Sequence, residues 1–219
     1  MEKKVLEHQF KADYFDEDFY KSKTGVKGTH KRDENNMAYM EFSRRVRQAF
    51  DINTKTILDI GAGVGVRTIN YINREFDAYP CDVSKYAYDN SKLPERHYLS
   101  DIRDLKEVDR TFDIVIADRV LGYIPPEDSL RALQAIDSKS DKYIILSIIC
   151  LDHIDPAIVE CAKPGRINIQ LKSFWNELFK SFPHWTLDKE KTDIMLQNGW
   201  SCIVVIRKDK EGISPVAFI

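Results

Sequence analysis

The sequence predicts an α/β protein built on a mostly parallel sheet with helices on both faces. Between residues 51 and 150, short β-branched apolar runs alternate with segments of helical period, the pattern of a buried parallel sheet. Four of the five runs end in glycine or aspartate, as strands do where they open into loops. In the last third, two strand-like runs follow one another with no helical pattern between them, which predicts an antiparallel closing hairpin at the sheet edge.

Composition sets the bounds. The 219 residues suit one domain with embellishments. An apolar share of 43 % and only nine glycines and eight prolines exclude a disordered or collagen-like chain. There is no run of 18 uncharged apolar residues to span a bilayer, and Met1–His8 lacks the apolar core of a secretory signal, so a soluble, cytoplasmic protein is expected. The net charge of −2 argues against a generally basic protein that coats nucleic acid. Cys81, Cys150, Cys161 and Cys202 form no Cys-x-x-Cys pair and have no histidine at zinc-ligand spacing; buried thiols are the simpler reading, and nothing favours a metal site.

Two units are expected: residues 1–50, an aromatic and basic cover segment with a helix, and residues 51–219, the main domain, carrying an insertion at 151–171. Tyr14 to Tyr20 packs aromatics among acids, and Lys21 to His30 follows with glycines and positive charge; such a stretch wraps a core or covers a cleft. A helix is expected after a cap at Asn35 or Asn36, with Met37, Met40, Phe42, Val46 and Phe50 near 3.6-residue spacing. Strands are expected at Thr56–Ile60, Ala78–Cys81, His97–Ser100, Phe112–Ala117 and Lys142–Ile149. Helices are expected at Val66–Phe76, Tyr86–Leu93, about Glu127–Ile136 and Ser173–Phe182. The closing strands are read at Trp185–Lys191 and Trp200–Arg207, joined by a loop around Gln197-Asn-Gly199.

The chemistry concentrates in Leu58-Asp-Ile-Gly-Ala-Gly-Val-Gly65, between the first strand and its helix. Glycines there allow a tight turn and let a ligand approach bare backbone at a helix N-terminus. A purely structural strand-to-helix corner is the competing reading. Val66 stands where the dinucleotide fingerprint Gly-x-G-x-x-Gly needs its third glycine, which argues against a nicotinamide-dependent oxidoreductase, and no Gly-Lys-Ser/Thr ending marks a P-loop. Asp82, Asp101 and Asp118 end the second, third and fourth strands. One such aspartate is commonly a cap or turn residue, but strand ends on one side of a parallel sheet converge on a single crevice.

With those residues in view, the sequence resembles the class I S-adenosylmethionine-dependent methyltransferases over about residues 54–208. The resemblance implies a Rossmann-like, seven-stranded, mostly parallel sheet with a C-terminal antiparallel hairpin, and S-adenosylmethionine as cofactor. It also implies the cofactor site. The turn Gly61, Gly63 and Gly65 would lie against the methionine and ribose portion, and Asp59 would help hold the methionine end. Asp82 would take the ribose hydroxyls, Asp101 with the backbone of Ile102 the adenine, and Asp118 would flank the methionine group. Many relatives carry an acid and a histidine after the fourth strand; here the segment is Val120-Leu-Gly-Tyr-Ile124. More faintly, Tyr14–Tyr20 and Arg166–Trp175 are similar to segments of glycan- and small-molecule-modifying members, which points to a small-molecule or glycan acceptor.

A sulfonium methyl group is already activated, so positioning is the main task, and a base is needed only where the acceptor holds its proton tightly. His153 and His30 lie in expected loops and Tyr123 follows the fourth strand; these are the catalytic candidates, each with a structural or solvated role as the alternative. Arg166, Asn168 and Lys172 are candidates for gripping a polar or anionic acceptor, against plain solvated loop charge. Pro80-Cys81 and Tyr123-Ile-Pro-Pro126 are superficially similar to DNA methyltransferase motifs, but stand in the wrong place or lack the flanking residues. Two rivals remain: an RNA or protein methyltransferase using Arg44, Arg45, Arg47 and the 21–31 stretch, and a non-catalytic methyltransferase-like scaffold.

Overall fold

The computed structural model describes residues 14–21, 36–51, 53–153, 155–157, 159, 166–196, 202–208 and 216–218. His8, His30 and Cys161 and most of the basic 21–31 stretch lie outside them. Seven strands form one sheet in the order β3-β2-β1-β4-β5-β7-β6. They are β1 (Thr56–Ile60), β2 (Asp77–Asp82), β3 (Tyr98–Leu99), β4 (Phe112–Asp118), β5 (Ser140–Ile148), β6 (Trp185–Leu187) and β7 (Cys202–Lys208). The first five pair in parallel, and β7 pairs antiparallel with both β5 and β6.

Period-two alternation splits each strand between two cores. Leu58, Ile60, Val115, Ala117, Ile144 and Leu146 point to one face, where α5 (Ser129–Lys139) and α6 (Lys172–Phe179) supply Leu133, Ile136, Trp175 and Phe179. Ile57, Ile114, Ile116, Ile145 and Val205 point to the other. There they meet Val46 of α2 (Met37–Ala49), Tyr71 of α3 (Val66–Ile72) and Met195 of α7 (Lys189–Leu196). Asn36 caps α2, its side chain accepting from Tyr39 N. Two short helices, α1 (Glu17–Lys21) and α4 (Lys85–Asp89), lie beside the strand ends.

The structure departs from the sequence reading in three places. Helix α3 stops at Ile72 rather than at Phe76. Phe76 N donates to Tyr71 O (3.2 Å) and Glu75 N to Ile72 O (2.9 Å), with Glu75 at φ 68, so a Schellman turn delivers Phe76 to the core. Helix α4 ends at Asp89, and a 3₁₀ turn at Pro94–Arg96 leads into β3. The two C-terminal strands are antiparallel neighbours as expected, but they are not a direct hairpin. The residues after Leu187 form α7, which packs on the α2 face before the chain returns as β7. The excursion after β5 closes on itself where Leu151 N donates to Gln170 O (2.9 Å).

Candidate functional site

The chain passes from β1 to β2 on one side and reaches β4 on the other, so the strand order reverses at β1. The C-terminal ends of β1 and β4 therefore face an open crevice, the usual ligand position in such sheets. A cleft of about 1380 Å³, counting the space at its mouth, lies there. Its floor is the turn after β1. Gly61, Gly63 and Gly65 have φ of 70, 56 and 87°, left-handed values that L side chains rarely adopt. A Cβ on Gly61 would drive into Val120, and one on Gly63 would sit 3.4 Å from the Tyr20 ring. Gly61 and Gly63 line the cleft, whereas Gly65 lies beneath it as the N-terminal cap of α3.

The acids at the strand ends frame this floor. Asp82 accepts Gly63 N at 2.7 Å and Ser84 N at 2.9 Å, which ties the end of β2 to the glycine turn. Burial pushes its carboxyl up, against the lowering effect of those N–H donors. Asp101 lines the cleft beside the buried Ile102. Arg103 takes both of its oxygens, Nη2 to Oδ2 at 2.6 Å and Nε to Oδ1 at 3.0 Å, and reaches Asp128 at 3.1 Å. Burial raises the Asp101 carboxyl, but the Arg103 guanidinium outweighs it and the net shift is downward.

The end of β4 is organised by an arginine that the sequence reading did not single out. Arg67, in the first turn of α3, bonds Asp59 at 2.9 Å with one nitrogen and Asp118 with another. Its guanidinium also lies 5.4 Å from the Phe42 ring centroid and 5.8 Å from that of Tyr39. Burial raises the Asp118 carboxyl, but the Arg119 and Arg67 guanidiniums prevail and hold it well below the usual carboxylate range. Asp59 lies behind the cleft wall, fully buried, its carboxylate accepting from Arg67 and from Thr68 Oγ1 at 2.9 Å.

An aromatic wall flanks the cleft. Phe15 packs edge-on to Tyr123 at 5.6 Å and Phe19 does so at 6.4 Å, while Tyr20 stacks on Tyr86. Ser84 Oγ donates to Phe15 O, which pins the segment before α1 to the end of β2. Arg166 lies over the Tyr123 ring, 4.9 Å from its centroid.

The structure thus brings Gly61, Gly63, Asp82, Asp101, Ile102, Asp118, Tyr123 and Arg166 to one cleft. It does not bring His153, Asn168 or Lys172 there. His153 is buried after β5, its Nδ1 accepting from Asp155 N at 3.0 Å, so that ring serves its own turn. Asn168 is buried and donates to Leu121 O (3.1 Å) and Ser129 Oγ (2.9 Å). Lys172 begins α6 and donates its backbone N–H to Asp152. Among the described residues, no histidine lines the cleft and no group of three His, Cys, Asp or Glu side chains could hold a metal ion. Sequence reasoning missed Arg67 and Arg119. The signal for Arg67 was a charged residue in the first turn of a helix whose other face is core; Arg119 gave none beyond standing next to Asp118.

No family model matches the sequence, and no curated protein matches it either. Solved structures do. The magnesium protoporphyrin IX methyltransferase ChlM from Synechocystis PCC 6803, with bound S-adenosylhomocysteine, superposes with a TM-score of 0.60 at 15 % identity, covering 90 % of this chain and 97 % of that one. The plantazolicin methyltransferase BpumL, in complex with a desmethyl-plantazolicin analogue and S-adenosylhomocysteine, gives 0.61 at 13 %, over 95 % and 98 %. The mitomycin 7-O-methyltransferase MmcR gives 0.54 at 14 %, over 78 % of this chain and 54 % of that one, so the match spans about half of that protein. The chain has the class I S-adenosylmethionine-dependent methyltransferase fold.

Proposed function

We propose that the protein is an S-adenosylmethionine-dependent methyltransferase acting on a small-molecule or sugar acceptor. The observation that carries this reading is the Asp82 carboxylate, buried at the end of β2 yet lining the cleft and locked to the left-handed Gly63. Backbone N–H groups of Gly63, Ser84 and Val83 take three of its roughly four lone-pair sites, so capacity remains for a ligand hydroxyl. The bare backbone of Gly61 and Gly63 on the cleft floor, in left-handed conformations that favour glycine, suits the close approach of a ligand.

When bound, S-adenosylmethionine supplies a methyl group that passes to the acceptor while the electron pair of the broken C–S bond stays on sulfur. The chain's own residues hold and exclude. The Gly61–Gly63 backbone and Asp82 bind the ribose and methionine portions, and Asp101 with Ile102 faces the base. Asp118, fixed by Arg67 and Arg119, stays charged across physiological pH and flanks the methionine end. Asp59 acts through Arg67 as a positioning residue. Phe15, Phe19 and Tyr20 cover the mouth and keep water out, the part assigned here to the segment ahead of residue 51. Burial pushes the Tyr123 phenol up, although Arg166 and Arg119 lower it, so it remains protonated and serves as wall rather than base.

The test is calorimetric titration with S-adenosylhomocysteine, with NADH as control. Saturable binding is expected, weakened about tenfold or more in Asp82→Ala, each tenfold being ~1.4 kcal/mol. Absence of binding to folded protein would favour the scaffold reading, and binding of NADH instead would overturn the reading of the glycine turn.

A further inference from the structure

The two ends of the cleft differ in charge. The Asp82 end presents a carboxylate to backbone donors. At the other end, Asp118 bonds Arg67 and Arg119 at once, and its field reaches Arg166 as well; Asp59 is taken up behind the wall by Arg67 and Thr68. Among the described residues, Arg67, Arg119 and Arg166 thus gather at this end against the carboxylates of Asp118 and, behind the wall, Asp59.

The placement of the two outer arginines is built into the fold. Arg119 is a non-glycine residue at φ 60, its backbone N–H fixed to Ser147 O at 2.7 Å; this left-handed turn sets its side chain beside Asp118 rather than along the β4 line. Arg166 is positioned through its neighbours. Ile167 N and Asn168 N both donate to Gly122 O, at 3.0 and 3.2 Å, and Asn168 Nδ2 donates to Leu121 O. Gly122 is bare where Arg166 crosses it: a Cβ there would sit 2.9 Å from Arg166 Cδ. These contacts hold the guanidinium against the Tyr123 face, although burial works against its charge and Arg119 repels it. Beside it, Phe15, Phe19 and Tyr123 offer apolar ring surface.

We propose that this end of the cleft binds the methyl acceptor by a carboxylate, held by Arg166 with Arg119, its planar apolar body lying against Phe15, Phe19 and Tyr123. The proposal rests on the methyltransferase reading and adds the chemical class of the acceptor: a small carboxylic acid rather than a neutral sugar. An arginine fork matches a carboxylate, and the partly desolvated site strengthens the pair.

The probes are 4-hydroxybenzoate and its uncharged amide, 4-hydroxybenzamide, titrated calorimetrically into protein saturated with S-adenosylhomocysteine. The carboxylate is expected to bind at least tenfold tighter than the amide. Arg166→Gln should abolish that preference while leaving S-adenosylhomocysteine affinity within twofold, and Arg166→Lys, which keeps the charge but not the fork, should retain part of it. Equal binding of the two probes, binding of neither, or a preference that survives Arg166→Gln overturns the proposal. Should Arg166→Gln fail to fold, an undiminished preference in Arg166→Lys, with its fork lost, overturns it too. If S-adenosylhomocysteine does not bind, the same probes are titrated into the unloaded protein. A carboxylate preference lost in Arg166→Gln then supports the anion site while the cofactor reading falls, and no preference overturns the site itself.

Discussion

Arg67 ties together two buried carboxylates, of which Asp118 is also held by Arg119 and Asp59 by Thr68. Asp59 is fully buried and Asp118 nearly so, and each bonds a different nitrogen of the same guanidinium. Removing one partner of a buried ion pair leaves an uncompensated charge, which costs about 3–5 kcal/mol. Arg67→Ala is therefore expected to lose about that much in urea denaturation, and Arg67→Met with Asp59→Asn and Asp118→Asn to recover most of it. A loss under about 1 kcal/mol in the single variant would show that Asp59 and Asp118 are held some other way. His97 tells the opposite story. It is buried against Tyr88 with neither ring nitrogen hydrogen-bonded among the described residues, and burial lowers its pKa to about 4. Between pH 6.5 and about 4 the unfolded chain then binds a proton that the folded one refuses, so stability falls as pH falls through that window, by at most about 3 kcal/mol. In His97→Leu the wild-type loss of thermal stability across this window should shrink; an unchanged pH profile would remove His97 as its cause.

At the scale of elements, the end of α3 offers a clean test. The Schellman turn needs its left-handed residue at position 75, where glycine is the usual choice and this chain has an exposed glutamate at φ 68. Glu75→Gly should stabilise the protein by about 0.5–1 kcal/mol, since relief of the left-handed strain exceeds the added freedom of the unfolded chain. A destabilised variant would mean that the glutamate side chain contributes more than its backbone costs. The same turn shows what sequence periodicity can and cannot convey. The helical reading of Val66–Phe76 runs to a residue that is indeed core, but a capped turn, not the helix, places Phe76 there. Strands β1 and β4 are legible because both faces are buried and β-branched apolar residues fill most of each run. Helix α7 is not: Lys-Glu-Lys-Thr-Asp-Ile-Met-Leu buries only Thr192 and Met195, leaving almost no apolar stripe to read. In the site, the aspartates at the ends of β2, β3 and β4 reach the cleft as the strand pattern implies. Asp59 does not, because alternation puts it on the Ile57 face, towards α3. Arg166, read from the sequence as a candidate acceptor grip, does reach the cleft, through a contact with Gly122 more than 40 residues away, whereas Arg119 depends on a left-handed backbone that leaves no periodic trace.

At the scale of the molecule, the cleft draws its walls from distant parts of the chain. The segment before α1, the turns after β1 and β2, the end of β4 and Arg166 all meet over one crevice. A ligand that fills it contacts elements on both sides of the β1 switch point, so binding should stabilise the whole fold rather than one loop. At a hundred times its Kd, a ligand bound only by the folded state adds about 2.7 kcal/mol. For a chain of this size that corresponds to a rise of roughly 5–10 °C in Tm. S-adenosylhomocysteine at that excess is expected to produce such a shift in the wild type and, at the same concentration, about half of it or less in Asp82→Ala. Amide exchange should slow in Tyr14–Lys21 and in Asp118–Tyr123 together, because the aromatic wall joins them through Phe15 and Tyr123. Protection confined to the glycine turn would mean that the aromatic segment does not close over the ligand, and a shift of equal size in Asp82→Ala would place the bound molecule elsewhere on the protein.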